Sequence, residues 1–182
     1  MKNITLAITG ATGVPIAFTL LQQLLINKCK VHLVISAAGV ITAKQESGVS
    51  LSANPNKTKE SLVSKLDLTN AKSLYVYTNN DWYAPLASGS SVSDAMVVCP
   101  CSMATLGKIA GGIGDDLICR AADVILKERK NLILVPRETP LNAINLDNMQ
   151  RLAAIGVSIL PPMPAFYTHP KTVQDIVDFI VS

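Results

Sequence analysis

Short aliphatic runs alternate with helix-patterned segments along the whole chain, and nothing else in it narrows the choice of fold as much. The first cycle is Ile4-Thr-Leu-Ala-Ile-Thr9, the turn Gly10-Ala-Thr-Gly13, and then Ile16, Leu20, Leu21, Leu24 and Leu25 at helical spacing. Pro15 is tolerated there because the N–H groups of a helix's first turn have no intrahelical partner to lose. Lys30-Val-His-Leu-Val-Ile-Ser36 is the next strand. Strand, turn, helix and strand in this order make a βαβ unit, for which a right-handed crossover is expected.

The pattern continues with a helix over Ala37–Ser47, a polar loop over Ser50–Lys59 leading into another short helix, and a strand over Ser73–Tyr77. Further strands are predicted over Ala95–Cys99, Leu132–Val135 and Val157–Leu160. Helices are predicted from Ser102, over Leu117–Lys130, Leu146–Ile155 and Val173–Val181. The expectation is a single α/β domain over residues 1–182, a three-layer Rossmann-like arrangement with a mostly parallel sheet of about six strands. Hydrophobic content of 49% with 4% aromatics agrees, because parallel strands covered by helices are built from aliphatic side chains.

A net charge of +3, with no basic block, argues against nucleic acid and is compatible with an anionic small molecule. The N-terminal residues enter a strand without a signal-peptide pattern. The greasy stretch Val14–Ile26 is interrupted by Gln22 and Gln23 and is too short to span a bilayer, so no membrane role and a cytoplasmic location are expected. Cys29, Cys99, Cys101 and Cys119 show neither disulfide nor zinc spacing and read as buried free thiols. His32 and His169 lie too far apart in sequence to suggest a metal site or a catalytic triad.

Doubly wound sheets place ligands beyond the carboxyl ends of their strands. Gly10–Gly13, Ser36, Ser102, Arg137 and Pro161–Tyr167 all fall there, which points to one site assembled from several loops. Gly10-Ala-Thr-Gly13 offers a tight turn with backbone N–H groups facing an anion. It lacks a full G-x-G-x-x-G and an acidic residue after the second strand, so a mononucleotide fits better than a dinucleotide. Ser102-Met103-Ala104-Thr105 opens a helix with two hydroxyls, either a phosphate cradle or a plain serine N-cap. Asp116, Arg120, Asp123 and Lys127 share one helix face, either as i,i+4 ion pairs or with Arg120 and Lys127 offered to an anionic substrate. Arg137-Glu138 follows a strand, either as site residues or as a loop-exposed ion pair. Glu46 reads as a surface carboxylate and Trp82 as a packing residue on spacing alone.

Taken together these segments are more specific than any one of them. Gly10-Ala-Thr-Gly13, Asn80-Asp-Trp-Tyr-Ala-Pro85, Ala87-Ser-Gly-Ser90, Val98-Cys-Pro-Cys-Ser102, Arg120-Ala-Ala-Asp-Val124, Leu126-Lys-Glu-Arg129, Val135-Pro-Arg-Glu-Thr-Pro140 and Leu160-Pro-Pro-Met-Pro-Ala-Phe-Tyr167 resemble, in order, the UbiX family of flavin prenyltransferases. The resemblance implies an enzyme that joins a dimethylallyl group from dimethylallyl monophosphate to reduced FMN at N5 and C6, without a metal. It implies a homo-oligomer, usually a dodecamer with sites shared between subunits. The prenylated FMN then serves a UbiD-type decarboxylase, in many bacteria for ubiquinone biosynthesis.

By the same resemblance Gly10, Ala11, Thr12, Ser36, Ser102, Met103, Ala104, Thr105 and Arg137 match the FMN-binding positions. Trp82, Arg120, Lys127 and Tyr167 match positions around the prenyl substrate, and Glu46, Lys127 and Glu138 match catalytic ones. Two departures stand out. Thr12 replaces the usual serine of Gly-Ala-Ser-Gly, and Ser182 is the last residue about where the family carries a further basic residue and a tail. A flavin-dependent cysteine decarboxylase shares the fold and FMN, but relies on a differently placed histidine and an Asn-containing motif where this chain reads Pro140-Leu-Asn-Ala-Ile. A non-catalytic flavin carrier is the other alternative.

Overall fold

The computed structural model describes all 182 residues. One sheet holds β1 (Asn3–Ile8), β2 (Lys30–Ile35), β3 (Leu74–Thr78), β4 (Ala95–Cys101), β5 (Asn131–Pro136) and β6 (Ser158–Ile159). Their order across the sheet is β3-β2-β1-β4-β5-β6. Every pairing is parallel, so a sheet expected to be mostly parallel is wholly so. This is the doubly wound Rossmann order, in which the direction of winding reverses between β1 and β4.

Helices α1 (Val14–Ile26), α2 (Ala37–Ser47), α3 (Pro55–Lys65), α4 (Met103–Ala110), α5 (Leu117–Lys127), α6 (Ala143–Ala154) and α7 (Val173–Val181) cover the two faces. Successive strand side chains point to opposite faces and therefore feed two separate cores. Leu6, Ile8, Leu33 and Ile35 pack with Phe18 and Leu21 of α1, Leu62 of α3 and Val177 of α7. Ala7, Val34, Met96 and Val98 pack with Leu106 of α4, Ile118 and Ile125 of α5 and Leu152 of α6. No helix is long and apolar enough to cross a membrane.

Several boundaries differ from the sequence pattern, each for a local reason. Helix α5 ends at Lys127 rather than Lys130, because Arg129 turns to φ 54° and the Lys130 N–H bonds back to Ile125 O. Helix α6 starts at Ala143 rather than Leu146, because the Asn142 side chain caps it by accepting from the Asn145 N–H at 2.8 Å. Strand β4 continues through Pro100 to Cys101, while β6 shrinks to Ser158–Ile159 before Pro161. Cys99, Cys101 and Cys119 are buried and Cys29 is partly so, all as free thiols. Burial pushes the Cys99 thiol up to about 12, so it stays protonated and is no nucleophile.

Candidate functional site

All strands run the same way, so the segments after β1, β2, β4, β5 and β6 emerge at one edge of the sheet. Gly10–Gly13, Ser36, Ser102–Thr105, Arg137 and Pro161–Tyr167 lie along that edge, as the sequence pattern predicts. The β1 and β4 loops flank the switch point, where the crevice of such sheets opens.

The edge is tightly packed at the first loop. A Cβ on Gly10 would sit 2.3 Å from Ala38 Cβ, so only glycine lets the loop lie against the first turn of α2. Gly39 serves the same close approach, since a Cβ there would meet Ile8 O at 2.7 Å. Gly13 has φ 115°, a left-handed-side conformation that glycine adopts without strain.

The N–H groups of this loop do face an anion, but it is one of the chain's own. The Glu46 carboxylate accepts from Gly13 N and Val14 N at 2.9 Å each and from the Thr12 hydroxyl. Glu46 is therefore no solvated surface carboxylate: it closes the C-terminal end of α2 onto the start of α1. The hydroxyl that Thr12 keeps in place of serine is the group that makes the bond, and the threonine side chain is exposed.

Two other helix starts remain available. Ser36 caps α2 by accepting from the Gly39 N–H at 3.0 Å, and Ser102 caps α4 by accepting from the Thr105 N–H at 3.3 Å. The N–H groups of Ala37 and Ala38 in α2, and of Met103 and Ala104 in α4, have no intrahelical acceptor. Ser102 and Thr105 hydroxyls lie 3.1 Å apart. The serine N-cap thus leaves free N–H groups and two hydroxyls at the mouth of α4, where the helix dipole favours negative charge.

Arg137 and Glu138 are exposed just past β5, and they form no ion pair with each other. Glu138 instead accepts from the Thr139 N–H at 3.0 Å, which leaves the Arg137 guanidinium at the edge without an acidic partner. The Arg137 N–H donates to Cys101 O at 3.3 Å, so a guanidinium without an acidic partner stands on the loop next to the hydroxyl-capped start of α4, a donor set that fits the phosphate of FMN.

The cationic face of α5 is arranged differently from the spacing. Asp116 is the N-cap, bonded to the Cys119 N–H at 2.9 Å and lying 3.7 Å from Lys108. Arg120 pairs with Asp123 at 2.8 Å and donates through Nε to Ala87 O at 3.1 Å. Lys127 pairs with Glu128. The i,i+4 pairs Asp116–Arg120 and Asp123–Lys127 do not form. Gly89 lies against the last of these groups, since a Cβ on it would meet Glu128 Oε1 at 2.3 Å and Lys127 Nζ at 2.6 Å. Arg120 and Lys127 therefore both abut the Ala87–Ser90 turn.

One chain does not bring all the expected residues together. Helix α5 starts at the carboxyl edge, where Leu117 N bonds Asn79 O at 2.8 Å, and it leads to the amino end of β5. At 1.5 Å per residue, Lys127 lies about 15 Å along the axis from Leu117. Trp82 is half exposed just after β3, and Tyr167 is 76% exposed, edge-on to Phe179 at 6.1 Å. A cavity of about 330 Å³ opens beside Ser36, lined by Ile35, Ala37, Val40, Val76, Tyr77 and Asn80 among others.

Two residues at this edge carry no motif signal. The Thr9 hydroxyl joins β1 to Pro100 and Ser102, and the Asn79 side chain accepts from the Ile118 N–H at 3.1 Å. Spacing does not reveal either, because each partner lies far along the chain. His32 is buried with Nδ1 2.8 Å from the Tyr77 hydroxyl and stacks against both Tyr75 and Tyr77 of the neighbouring strand β3, a packing role.

A wholly parallel doubly wound sheet, with anion-receptive helix starts and a free arginine at its switch-point edge, defines a Rossmann-like α/β protein of the mononucleotide-binding class. The Flavoprotein family matches residues 1–182, and the chain belongs to that family and, within it, to the UbiX flavin prenyltransferases. The flavin prenyltransferase UbiX of Pseudomonas aeruginosa is 45% identical over 181 residues, covering 100% of this chain and 86% of that protein. A dodecameric FMN-dependent UbiX-like decarboxylase from Escherichia coli O157:H7 is similar in structure, with TM-score 0.86, 41% identity, and 98% and 90% of the two chains covered. So is AnUbiX (PadA1) in complex with FMN and dimethylallyl pyrophosphate, with TM-score 0.87, 40% identity, and 99% and 88% covered.

Proposed function

We propose that this protein transfers the dimethylallyl group of dimethylallyl monophosphate to N5 and C6 of reduced FMN, and that a UbiD-type decarboxylase uses the product. The observation that carries the reading is that the β1, β2, β4 and β5 loops leave one edge of the sheet, with hydroxyl-capped starts at α2 and α4 and with Arg137, which has no acidic partner, just past β5. Identity of 45% to a flavin prenyltransferase along the chain supports it.

Reduced FMN supplies the nucleophilic ring atoms, and the chain supplies position and charge. In this reading the first turns of α2 and α4, with Ser36, Ser102 and Thr105, receive the flavin's phosphate and polar groups, since Glu46 already fills the start of α1. Gly10, Ala11 and Thr12 form the floor, and Arg137 covers the anionic part. Breaking the allylic C–O bond leaves charge on the departing phosphate, which Arg120, Lys127 and Arg137 stabilise. Trp82 offers an aromatic face to the allylic carbon as positive charge develops on it. Tyr167 binds the prenyl phosphate, and Glu46 and Glu138 accept or return protons.

Lys127 lies away from the carboxyl edge of its own chain, so we assign it to a site completed by another copy. A homo-oligomer, a dodecamer like the similar enzyme from Escherichia coli O157:H7, provides one. Exposed Ile144, Met163 and Phe166 supply apolar surface for such contacts.

The test is to mix the purified protein with reduced FMN and dimethylallyl monophosphate and to weigh the flavin by mass spectrometry. A gain of one dimethylallyl unit is expected. Unchanged flavin, with FMN bound, overturns the transferase reading in favour of a carrier.

A further inference from the structure

We propose that Thr9 is a positioning residue whose hydroxyl sets the spacing between the two loops that flank the switch point; the proposal rests on the reading that those loops hold FMN. Thr9 is the first residue beyond β1 and only 1% exposed. Its hydroxyl donates to Pro100 O at 2.8 Å and accepts from the Ser102 N–H at 2.8 Å. Its own N–H donates to Pro100 O at 3.2 Å.

The location gives these bonds their importance. Register between β1 and β4 runs from Ile4–Ala95 to Ala7–Val98 and then stops. Past that point β4 is irregular against β5, shifting register between Val98 and Cys101, and Pro100 has no N–H to offer a ladder. The two strands part here, and Gly10–Gly13 leaves one while Ser102–Thr105 leaves the other. Beyond the last backbone bond between them, Thr9 N–H to Pro100 O, a single buried hydroxyl with both its donor and acceptor capacity used carries the link on to Ser102 and sets how far apart the loops stand. The bonded Ser102 N–H belongs to the N-cap residue of α4, so the same contact also aims the helix start.

Thr9→Val keeps the shape but puts a methyl where an oxygen now approaches a carbonyl at 2.8 Å, and it leaves the Ser102 N–H unpaired. Thr9→Ser keeps the hydroxyl. Expected results are FMN binding on the order of tenfold weaker in Thr9→Val, followed by flavin fluorescence, and close to wild type in Thr9→Ser. In the flavin-free protein, hydrogen exchange at the Ser102 amide should speed up in Thr9→Val and not in Thr9→Ser.

If Thr9→Val does not fold, Thr9→Ser decides: weakened FMN binding with faster Ser102 exchange there overturns the proposal, because the hydroxyl is present. Wild-type FMN affinity in a folded Thr9→Val overturns the proposal and leaves the functional reading standing. A wild-type protein that binds no FMN overturns both.

Discussion

The contact between Gly10 and α2 gives a quantitative test of how the first loop is seated. A Cβ added to Gly10 would lie 2.3 Å from Ala38 Cβ, whereas carbons in contact keep about 3.5 Å or more. Loop and helix must separate by about 1.2 Å, and overpacking of this kind costs roughly 1–3 kcal/mol. Backbone strain adds nothing, because Gly10 is not among the glycines with positive φ. Combining Gly10→Ala with Ala38→Gly removes the colliding carbon, and the next nearest atoms stand at 3.3 Å. The helix then bears a glycine near its start, at a cost of roughly 0.5–1 kcal/mol or less. Urea unfolding of the wild type, both single variants and the double variant completes a cycle. A coupling of about 1–2 kcal/mol in favour of the double variant is expected, with FMN affinity lost in Gly10→Ala and regained in the pair. A Gly10→Ala protein as stable and as tight for FMN as the wild type refutes the argument, and so does a double variant no better than the single.

His32 provides a pH test. Burial, aided by the nearby Lys30 charge, lowers its pKa from 6.5 to about 4. The unfolded chain then takes up the proton first, so stability is full above pH 6.5 and falls as pH drops toward 4. The ceiling of that loss is about 3 kcal/mol, from about 2.5 pH units at 1.36 kcal/mol each, and His32→Gln should flatten the urea midpoint across that range. Lys127→Ala and Glu138→Ala should each keep FMN bound while losing prenylation by on the order of a hundredfold, read by flavin fluorescence and product mass. Loss of FMN binding in either one moves that residue into the flavin site. Arg137→Ala should weaken FMN about tenfold or more, since it removes a charged donor. Equal affinity would detach Arg137 from the flavin.

Much of the fold was legible because its signals are local. The period of Leu6 and Ile8 against Ala7, and of Leu20, Leu21, Leu24 and Leu25, needs only near neighbours to be read. Val173–Val181 forms the helix its pattern predicts, sealed by a capping box between Thr172 and Asp175. Boundaries slipped where a cap or a left-handed residue decided them, as at Asn142 and Arg129.

The site was legible as a set of positions and not as a set of bonds. Strand-then-loop order places Ser36, Ser102 and Arg137 at a common edge once the sheet is parallel. It does not tell that Arg120 pairs with Asp123 rather than Asp116, or that Arg137 ignores its neighbour Glu138. Those choices depend on side-chain direction and on what the next layer offers, here Ala87 O for the Arg120 guanidinium.

By itself, then, the sequence determined the alternation of strands and helices, the loops that carry polar chemistry and, through its motifs, the resemblance to flavin prenyltransferases. Tertiary structure alone decided that the first loop's N–H groups hold Glu46, that Thr9 bridges to Ser102 and that Lys127 stands apart from the carboxyl edge. The physical reason is that hydrophobic period is set by neighbours along the chain. A hydrogen bond spanning some ninety residues, as from Thr9 to Ser102, is set only when the sheet brings two distant strands side by side.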